Sequence, residues 1–352
     1  MQVRKVETFT VKAPTRADLA GGTLDLWPIY CLLGNGKTVN VALDLFAKVH
    51  FEIQSSNTFK MTLATSDSTY SFSRPLSFDE SKKLSPALQF PAAVVSQYVA
   101  QKESLPKKHI HIILETEAPA GSGLGGSSAL CVALVRGLSK IFGDFVEEGW
   151  QWRLLEWVKD VEAGFLGLPT GTQDYLAALF GGANCFVSEI GGIRQMGYSK
   201  NVSNAISEHL LVLFSGEAHH SGLSNWELYK KVMAGDTEIL RGFTTIKEIA
   251  DALDKELRSA TLNWHHIGDY LNEEWRVRKG IFQVHTKRLD DIVEFLLSQK
   301  VLGCKVCGAA QGGSLVALVD PAARTELTRL ISRQGTSALP ASVTASPVLS
   351  IG

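Results

Sequence analysis

The stretch Pro119-Ala-Gly-Ser-Gly-Leu-Gly-Gly-Ser-Ser-Ala129 decides how this chain is read. Four glycines fall within six positions and two serines follow. Before it, His109–Thr116 alternates, with Ile110, Ile112 and Leu114 on one side, which predicts a half-buried strand. After it, Leu130, Leu134, Leu138 and Ile141 recur at helical spacing up to Gly143-Asp144, which predicts a helix with Ser127 or Ser128 as its N-cap. Strand, glycine loop and helix in that order set free backbone N–H groups and the positive end of a helix dipole around one concave spot, which suits phosphate. Glycine is required because side chains would block the approach of a polyphosphate. The pattern is not G-x-x-x-x-G-K-[ST], since Ser127 stands where that motif carries lysine.

Composition sets the outer bounds. The 352 residues suffice for two domains with real cores. Hydrophobic residues make up 45% and charged residues 20%, the mix of a globular protein. A formal net charge of −1 speaks against a broad nucleic-acid surface, so no nucleic-acid partner is expected. No apolar run has the length of a membrane span. The first ten residues lack the apolar segment of a signal peptide, so a cytoplasmic protein without a membrane partner is expected. Five scattered cysteines, Cys31, Cys131, Cys185, Cys304 and Cys307, do not describe a disulfide framework. Cys304-Lys-Val-Cys307 has no second pair or histidines beside it, and reads as small buried hydrophobes.

Along the chain, Val6 to Val11 reads as a strand, followed by a loop through Arg16 and Gly21-Gly22. Residues 39–53 and 58–72 alternate as strands, and 86–103 and 147–165 read as helices. Gly181-Gly182 leads into a strand over 183–189. The polar, pattern-poor segment 197–204 predicts a boundary near 195–207, hence domains of 1–200 and 207–352. Beyond it come a strand at 210–214 and a helix with a stripe of Leu289, Ile292, Val293, Leu296 and Leu297. A strand, glycine turn and strand over 306–319 follow, then a helix at 321–334 and a short strand near 346–351. Strands and helices interleave without regular βαβ alternation, so the fold class is α+β rather than one doubly wound sheet.

Three separated segments then connect. They are Ala13-Pro-Thr-Arg16-Ala-Asp-Leu-Ala-Gly21-Gly22-Thr23-Leu-Asp25, the loop 119–129, and Gly308-Ala-Ala-Gln311-Gly312-Gly313. In that order they resemble the three signature motifs of the GHMP small-molecule kinases, the superfamily of galactokinase, homoserine kinase, mevalonate kinase and phosphomevalonate kinase. The loop fits P-x-x-x-G-L-G-[SG]-S-[SA]-A closely, with Gly126 replacing a serine, and the third motif departs furthest. The resemblance implies a two-domain GHMP kinase architecture, with a ribosomal protein S5 domain 2-like N-terminal domain and a ferredoxin-like C-terminal domain. It also implies ATP and Mg²⁺ as cofactors, and phosphoryl transfer to a hydroxyl.

The resemblance carries site residues with it. Pro119, Gly121, Ser122, Gly123, Leu124, Gly125, Gly126, Ser127 and Ser128 are expected to hold the nucleotide phosphates, Ser127 also touching Mg²⁺. Glu162 is the expected second metal contact. It follows Leu155 and Val158 at +7 and +4, so it extends an apolar face where a carboxylate needs a partner, either a metal ion or a lysine. In Leu168-Pro-Thr-Gly171-Thr-Gln-Asp174-Tyr, Asp174 matches the family aspartate that faces the attacking hydroxyl. In the first turn of a helix it would accept a proton, orient the hydroxyl, or simply stabilise the helix dipole. Arg16 matches a basic residue near the transferred phosphoryl, where a permanent cation stabilises developing charge. Gly22, Thr23, Asp25 and Gly171, with Gly308, Gln311 and Gly312, are the expected acceptor contacts.

Gly21-Gly22-Thr23-Leu24-Asp25 lacks the Glu-His element of galactokinases and mevalonate kinases, and looks more like the heptose-phosphate kinase branch. Asn272–Lys279, His285–Asp290 and Gly216–Ser224 resemble that branch too, although His219-His220 departs from it. His265-His266 carries no motif and reads as structural. The expected partner is a sugar or sugar phosphate, bound by a monomer or homodimer. A galactokinase-like, uronic-acid or other monosaccharide kinase stays open, as do a mevalonate-branch kinase or decarboxylase and a non-catalytic ligand sensor on the same fold.

Overall fold

Alternation of apolar and polar residues builds a first sheet from two long strands, β1 (Val6–Ala20) and β2 (Gly36–Ser55). A computed structural model of the chain describes residues 6–218, 221–308 and 313–351. Between and after these strands come a one-turn helix α1 (Ile29–Leu32), β3 (Lys60–Ala64), β4 (Thr69–Phe72) and a second short helix α2 (Phe78–Ser81). The chain continues through α3 (Pro86–Ala100), β5 (Lys108–Thr116), α4 (Gly126–Phe142), α5 (Trp150–Leu166), α6 (Gln173–Phe180), β6 (Ala183–Glu189) and β7 (Gly192–Gly197). The sheet runs β1-β2-β5-β3-β4, with β6 and β7 extending from β2 and a last strand from the chain's end pairing on the outer side of β1. Only β3 and β5 pair in parallel among these neighbours.

The second half supplies α7 (Lys200–His209), β8 (Leu210–Phe214), α8 (Ser221–Met233), α9 (Thr237–Leu257), α10 (Trp264–Val277) and α11 (Lys287–Ser298). A π-turn, Arg278–Phe282, continues α10. Then come β9 (Gly303–Val306), β10 (Ser314–Leu318), α12 (Arg324–Ser332), β11 (Ser337–Leu339) and β12 (Leu349–Ile351). The order β11-β8-β10-β9 is fourth, first, third, second of the unit's strands, all antiparallel, the ferredoxin-like arrangement. The final strand leaves this sheet and pairs with β1 in the first. No helix among the described residues is long and apolar enough to cross a membrane.

Two local expectations change. Arg16 lies inside a strand rather than a loop, because β1 keeps pairing with β2 past an irregularity between Pro14 and Thr15. Before it, Phe9, Val11 and Ala13 pack in a core with α3, α4 and α5; after it, Ala17 and Leu19 pack in a different core shared with the second half. Alternation leaves Arg16 and Asp18 on the opposite side from Ala17 and Leu19. The pattern-poor segment 197–204 runs into α7 (Lys200–His209), started by Ser199 accepting from the Val202 N–H.

The shared core holds the two sheets together. Leu19, Val39 and Val41 of the first sheet meet Val212, Val316 and Leu253 of the second half, all essentially fully buried. Denaturant unfolding should therefore follow one cooperative transition. Leu253→Ala should cost about 2–5 kcal/mol and lower the midpoint of that single transition. Two resolved transitions in wild type, measured by far-UV circular dichroism and tryptophan fluorescence, would contradict this.

Candidate active site

The glycine loop turns straight into α4. Gly125 caps the helix with φ 72°, a left-handed conformation that a side chain would strain. No side chain caps α4, so neither Ser127 nor Ser128 is the N-cap. Both lie within the first turn, Ser127 exposed and Ser128 buried. A serine cap would satisfy the end N–H groups that the glycine leaves free.

Three consecutive loop carbonyls are engaged from behind. The Ser122 carbonyl accepts from the Ser314 N–H at 2.7 Å, and the Leu124 carbonyl from the Arg16 N–H at 2.9 Å. Between them, the Gly123 carbonyl accepts from Arg16 Nη1 at 2.5 Å. In a trans peptide the N–H points opposite to the C=O. The N–H groups of Gly123, Leu124 and Gly125 are thereby turned the other way, away from Arg16 and Ser314, as an anion nest requires.

Asp174 enters this arrangement from the first turn of α6. Its Oδ1 accepts from Arg16 Nε at 2.7 Å. A Cβ on Gly125 would stand 3.2 Å from its carboxylate, so loop and carboxylate are in contact. The Asp174 side chain keeps 27% exposure while Arg16 keeps 4%, so the acid reaches the opening and the base lies behind it. Burial works against the Arg16 charge, but Asp174 and Asp18 outweigh it and hold the guanidinium above its ordinary range. The loop, the arginine and the aspartate expected to act together therefore form one constellation.

Glu162, on α5, is half-buried. Burial pushes its carboxyl up to about 7, and the Asp174 charge adds to the shift. Among the described residues no lysine or arginine offsets this, which disfavours a lysine-paired rim glutamate. The neighbouring Tyr175 hydroxyl is buried and has no hydrogen-bond partner. Glu162 and Ser128 are among the groups that act on it. Asp174, Glu162 and the Ser128 and Tyr175 hydroxyls offer oxygen donors only, the ligand type that Mg²⁺ takes. No group of three or more His, Cys, Asp or Glu side chains is poised for a metal among the described residues.

The first motif takes a different part from the one its sequence suggests. Asp25 Oδ2 accepts from the Thr172 and Gln173 N–H groups, at 2.5 and 2.8 Å, so it caps α6 from a distance. Burial raises the Asp25 carboxyl, and these two N–H groups work against that. Gly171 is filled by the same carboxylate: a Cβ there would lie 2.4 Å from Asp25 Oδ2. Thr23 has φ 77°, a strained value for a β-branched residue, and its hydroxyl donates to Asn225 Oδ1 at 3.2 Å. Gly22 is buried against Asp18 and Arg278, and Gly308 against the Gly123 backbone. Gln311, Gly312, His219 and His220 lie outside the described residues.

Sequence reasoning missed a buried ionic chain behind the loop. Lys305 Nζ pairs with Asp18 Oδ2 and lies 3.1 Å from Glu274 Oε1. Arg278 Nε donates to Glu274 Oε1 at 2.9 Å, and its Nη2 donates to the Gly22 carbonyl at 2.7 Å. Glu274 Oε2 accepts from the Gly21 N–H at 2.8 Å. Burial pushes Asp18 up, but Lys305, Arg16 and Arg278 reverse the shift and hold it below the carboxylate range. One sequence signal was available: a lysine inside the otherwise apolar strand Gly-Cys-Lys-Val, where an unpaired charge is untenable.

Comparison with known proteins gives the family. Residues 91–182 match the family profile described as GHMP kinases N terminal domain, and residues 247–335 match GHMP kinases C terminal. The chain belongs to the GHMP kinase superfamily and is an ATP-dependent small-molecule kinase. Among curated relatives, the D-glycero-alpha-D-manno-heptose 7-phosphate kinase of Campylobacter jejuni is 25% identical over 339 residues, covering 94% of each chain. The fold matches a D-glycero-D-manno-heptose 1-phosphate kinase from Bacteriodes thetaiotaomicron with TM-score 0.75 at 20% identity, over 98% of this chain and 99% of that one. It also matches Lactococcus lactis galactokinase complexed with galactose, TM-score 0.78 at 15% identity, over 97% and 95%.

The Glu162 shift has a measurable sign. Its folded-state value, about 7, lies above the ordinary 4.5, so the stability it contributes is complete below pH 4.5 and is lost as pH rises to about 7. Without added metal, the stability of wild type relative to Glu162→Gln should fall by on the order of 2–3 kcal/mol across that window and level off above it. Urea titrations of both proteins at a series of pH values check this.

Proposed function

We propose that this kinase transfers the γ-phosphoryl group of ATP to a hydroxyl of a sugar or sugar phosphate, with an acceptor of the heptose-phosphate type. The observation that carries the reading is the meeting of Asp174, Arg16 and the loop at Gly123–Gly125 in one opening. The Gly-Gly-Thr-x-Asp motif and the heptose-phosphate kinases among the relatives support the acceptor class. A cytoplasmic setting, which supplies ATP, fits it.

The division of labour follows from the chemistry. The polyphosphate lies on the N–H groups of Gly123–Ser128, where the helix dipole and the turned-out amides favour negative charge. Arg16 stabilises charge developing on the transferred group. Asp174 orients the acceptor hydroxyl with Oδ2, since Oδ1 is occupied by Arg16, and takes up its proton as the O–P bond forms. Ser127 and Glu162 are the residues to hold Mg²⁺. Held there, Mg²⁺ would offset the negative charge of the phosphates as the phosphoryl group moves. Asp25 acts on the acceptor through Oδ1 and by fixing the α6 N-terminus, and therefore Asp174. Thr23 forms the neighbouring wall, while Gly22 and Gly308 pack behind the site, against Asp18 and the Gly123 backbone.

Asp174→Asn should lower kcat by about 10²–10⁴-fold while leaving the circular dichroism spectrum and the KM for ATP nearly unchanged. A coupled ADP-release assay over hexoses, heptoses, uronic acids and their phosphates tests the substrate class. A heptose phosphate should give the highest kcat/KM. A free hexose as the best acceptor would contradict that class, and near-normal turnover in Asp174→Asn would remove Asp174 from the chemistry.

A further inference from the structure

The fully buried pair of Asp18 on β1 and Lys305 on β9 touches neither the opening nor solvent. It lies directly behind the glycine loop. Asp18 Oδ1 accepts from the Gly308 N–H at 2.8 Å, and Lys305 Nζ donates to the Asp18 carbonyl at 3.1 Å as well as to its carboxylate. Gly308 in turn is pressed on the loop: a Cβ there would stand 3.1 Å from the Gly123 carbonyl. From the other side, a Cβ on Gly123 would stand 3.3 Å from the Cys307 carbonyl. The far end of the same turn is tied down too, since Gly313 packs against the Ser122 carbonyl and Ser314 donates to it.

The first and third glycine segments thus hold the second one by its carbonyl side. Ser122 and Leu124 accept backbone N–H groups, Gly123 accepts Arg16, and the C-terminal unit is locked to β1 by a charge pair. A buried pair of this kind contributes little net stability, because its Coulomb attraction is spent against desolvation. Its effect is geometric: it sets where Gly308 stands, and Gly308 presses on the carbonyl side of the loop, so the pair bears on which way the loop amides face. Glu274 and Arg278 extend the same chain to Gly21 and Gly22.

Resting on the kinase assignment and its nucleotide site, we propose that Asp18 and Lys305 are positioning residues for the nucleotide phosphates, orienting the loop N–H groups from behind without touching the ligand. The test is the affinity for Mg–AMP-PNP, measured by isothermal titration calorimetry, beside the melting temperature. The double variant Asp18→Asn/Lys305→Met removes both charges together, so neither is left unpaired. Asp18→Glu keeps the charge for Lys305 but adds a methylene, which carries the carboxylate past the Gly308 N–H. The double variant should weaken Mg–AMP-PNP binding at least tenfold and Asp18→Glu at least threefold, in proteins that still melt cooperatively. A role limited to stability would lower the melting temperature and leave the affinity alone. Binding within twofold of wild type by either folded variant overturns the proposal, and if the double variant does not fold, Asp18→Glu decides alone. Wild type that fails to bind Mg–AMP-PNP would instead overturn the nucleotide site on which the proposal rests.

Discussion

Three successive carbonyls of one loop, at Ser122, Gly123 and Leu124, have partners on the side away from the opening. The rest of the site depends on that constraint. Peptide planarity converts it into three N–H groups aimed the other way. The partners come from β1 and from the start of β10, which are far apart in sequence and meet only because a shared apolar core joins the two sheets. The phosphate nest is therefore a property of the whole fold, although the loop that forms it is local.

The same geometry explains why Asp174 and Arg16 sit where they do. Arg16 bridges the Gly123 carbonyl and the Asp174 carboxylate, so one guanidinium sets both the loop and the acid. Asp25 places the α6 N-terminus through two backbone N–H groups and so fixes Asp174 from a second direction. The residues that meet at the opening are each held by a buried partner, which is how a site keeps its geometry before substrate arrives. Thr23, with its positive φ, is a strained non-glycine residue in this wall, and strain of this kind persists only where the surroundings over-determine it.

Much of this could be read from the chain before any coordinates. The glycine loop, its flanking strand and helix, Asp174 in a first turn and Glu162 on an apolar face all follow from local spacing. The cap of α4 did not, because serine and glycine both start helices and only the left-handed Gly125 leaves the N–H groups open. Arg16 read as loop because polar residues interrupted the alternation; the strand continues because that side faces the site instead of a core. Asp25 matched a substrate contact, yet one of its oxygens serves α6. The Asp18–Lys305–Glu274–Arg278 chain was hidden because its members come from β1, β9 and the end of α10, and no sequence period links them.

The central claim is that a triphosphate rests on the amides of residues 123–128 beside Asp174. Hydrogen–deuterium exchange of the protein with and without Mg–AMP-PNP addresses it most directly. The account predicts that the strongest ligand-induced protection falls on the peptide spanning 119–129, with smaller protection at the start of α6. Protection concentrated elsewhere, with 119–129 exchanging at its free rate, would contradict it.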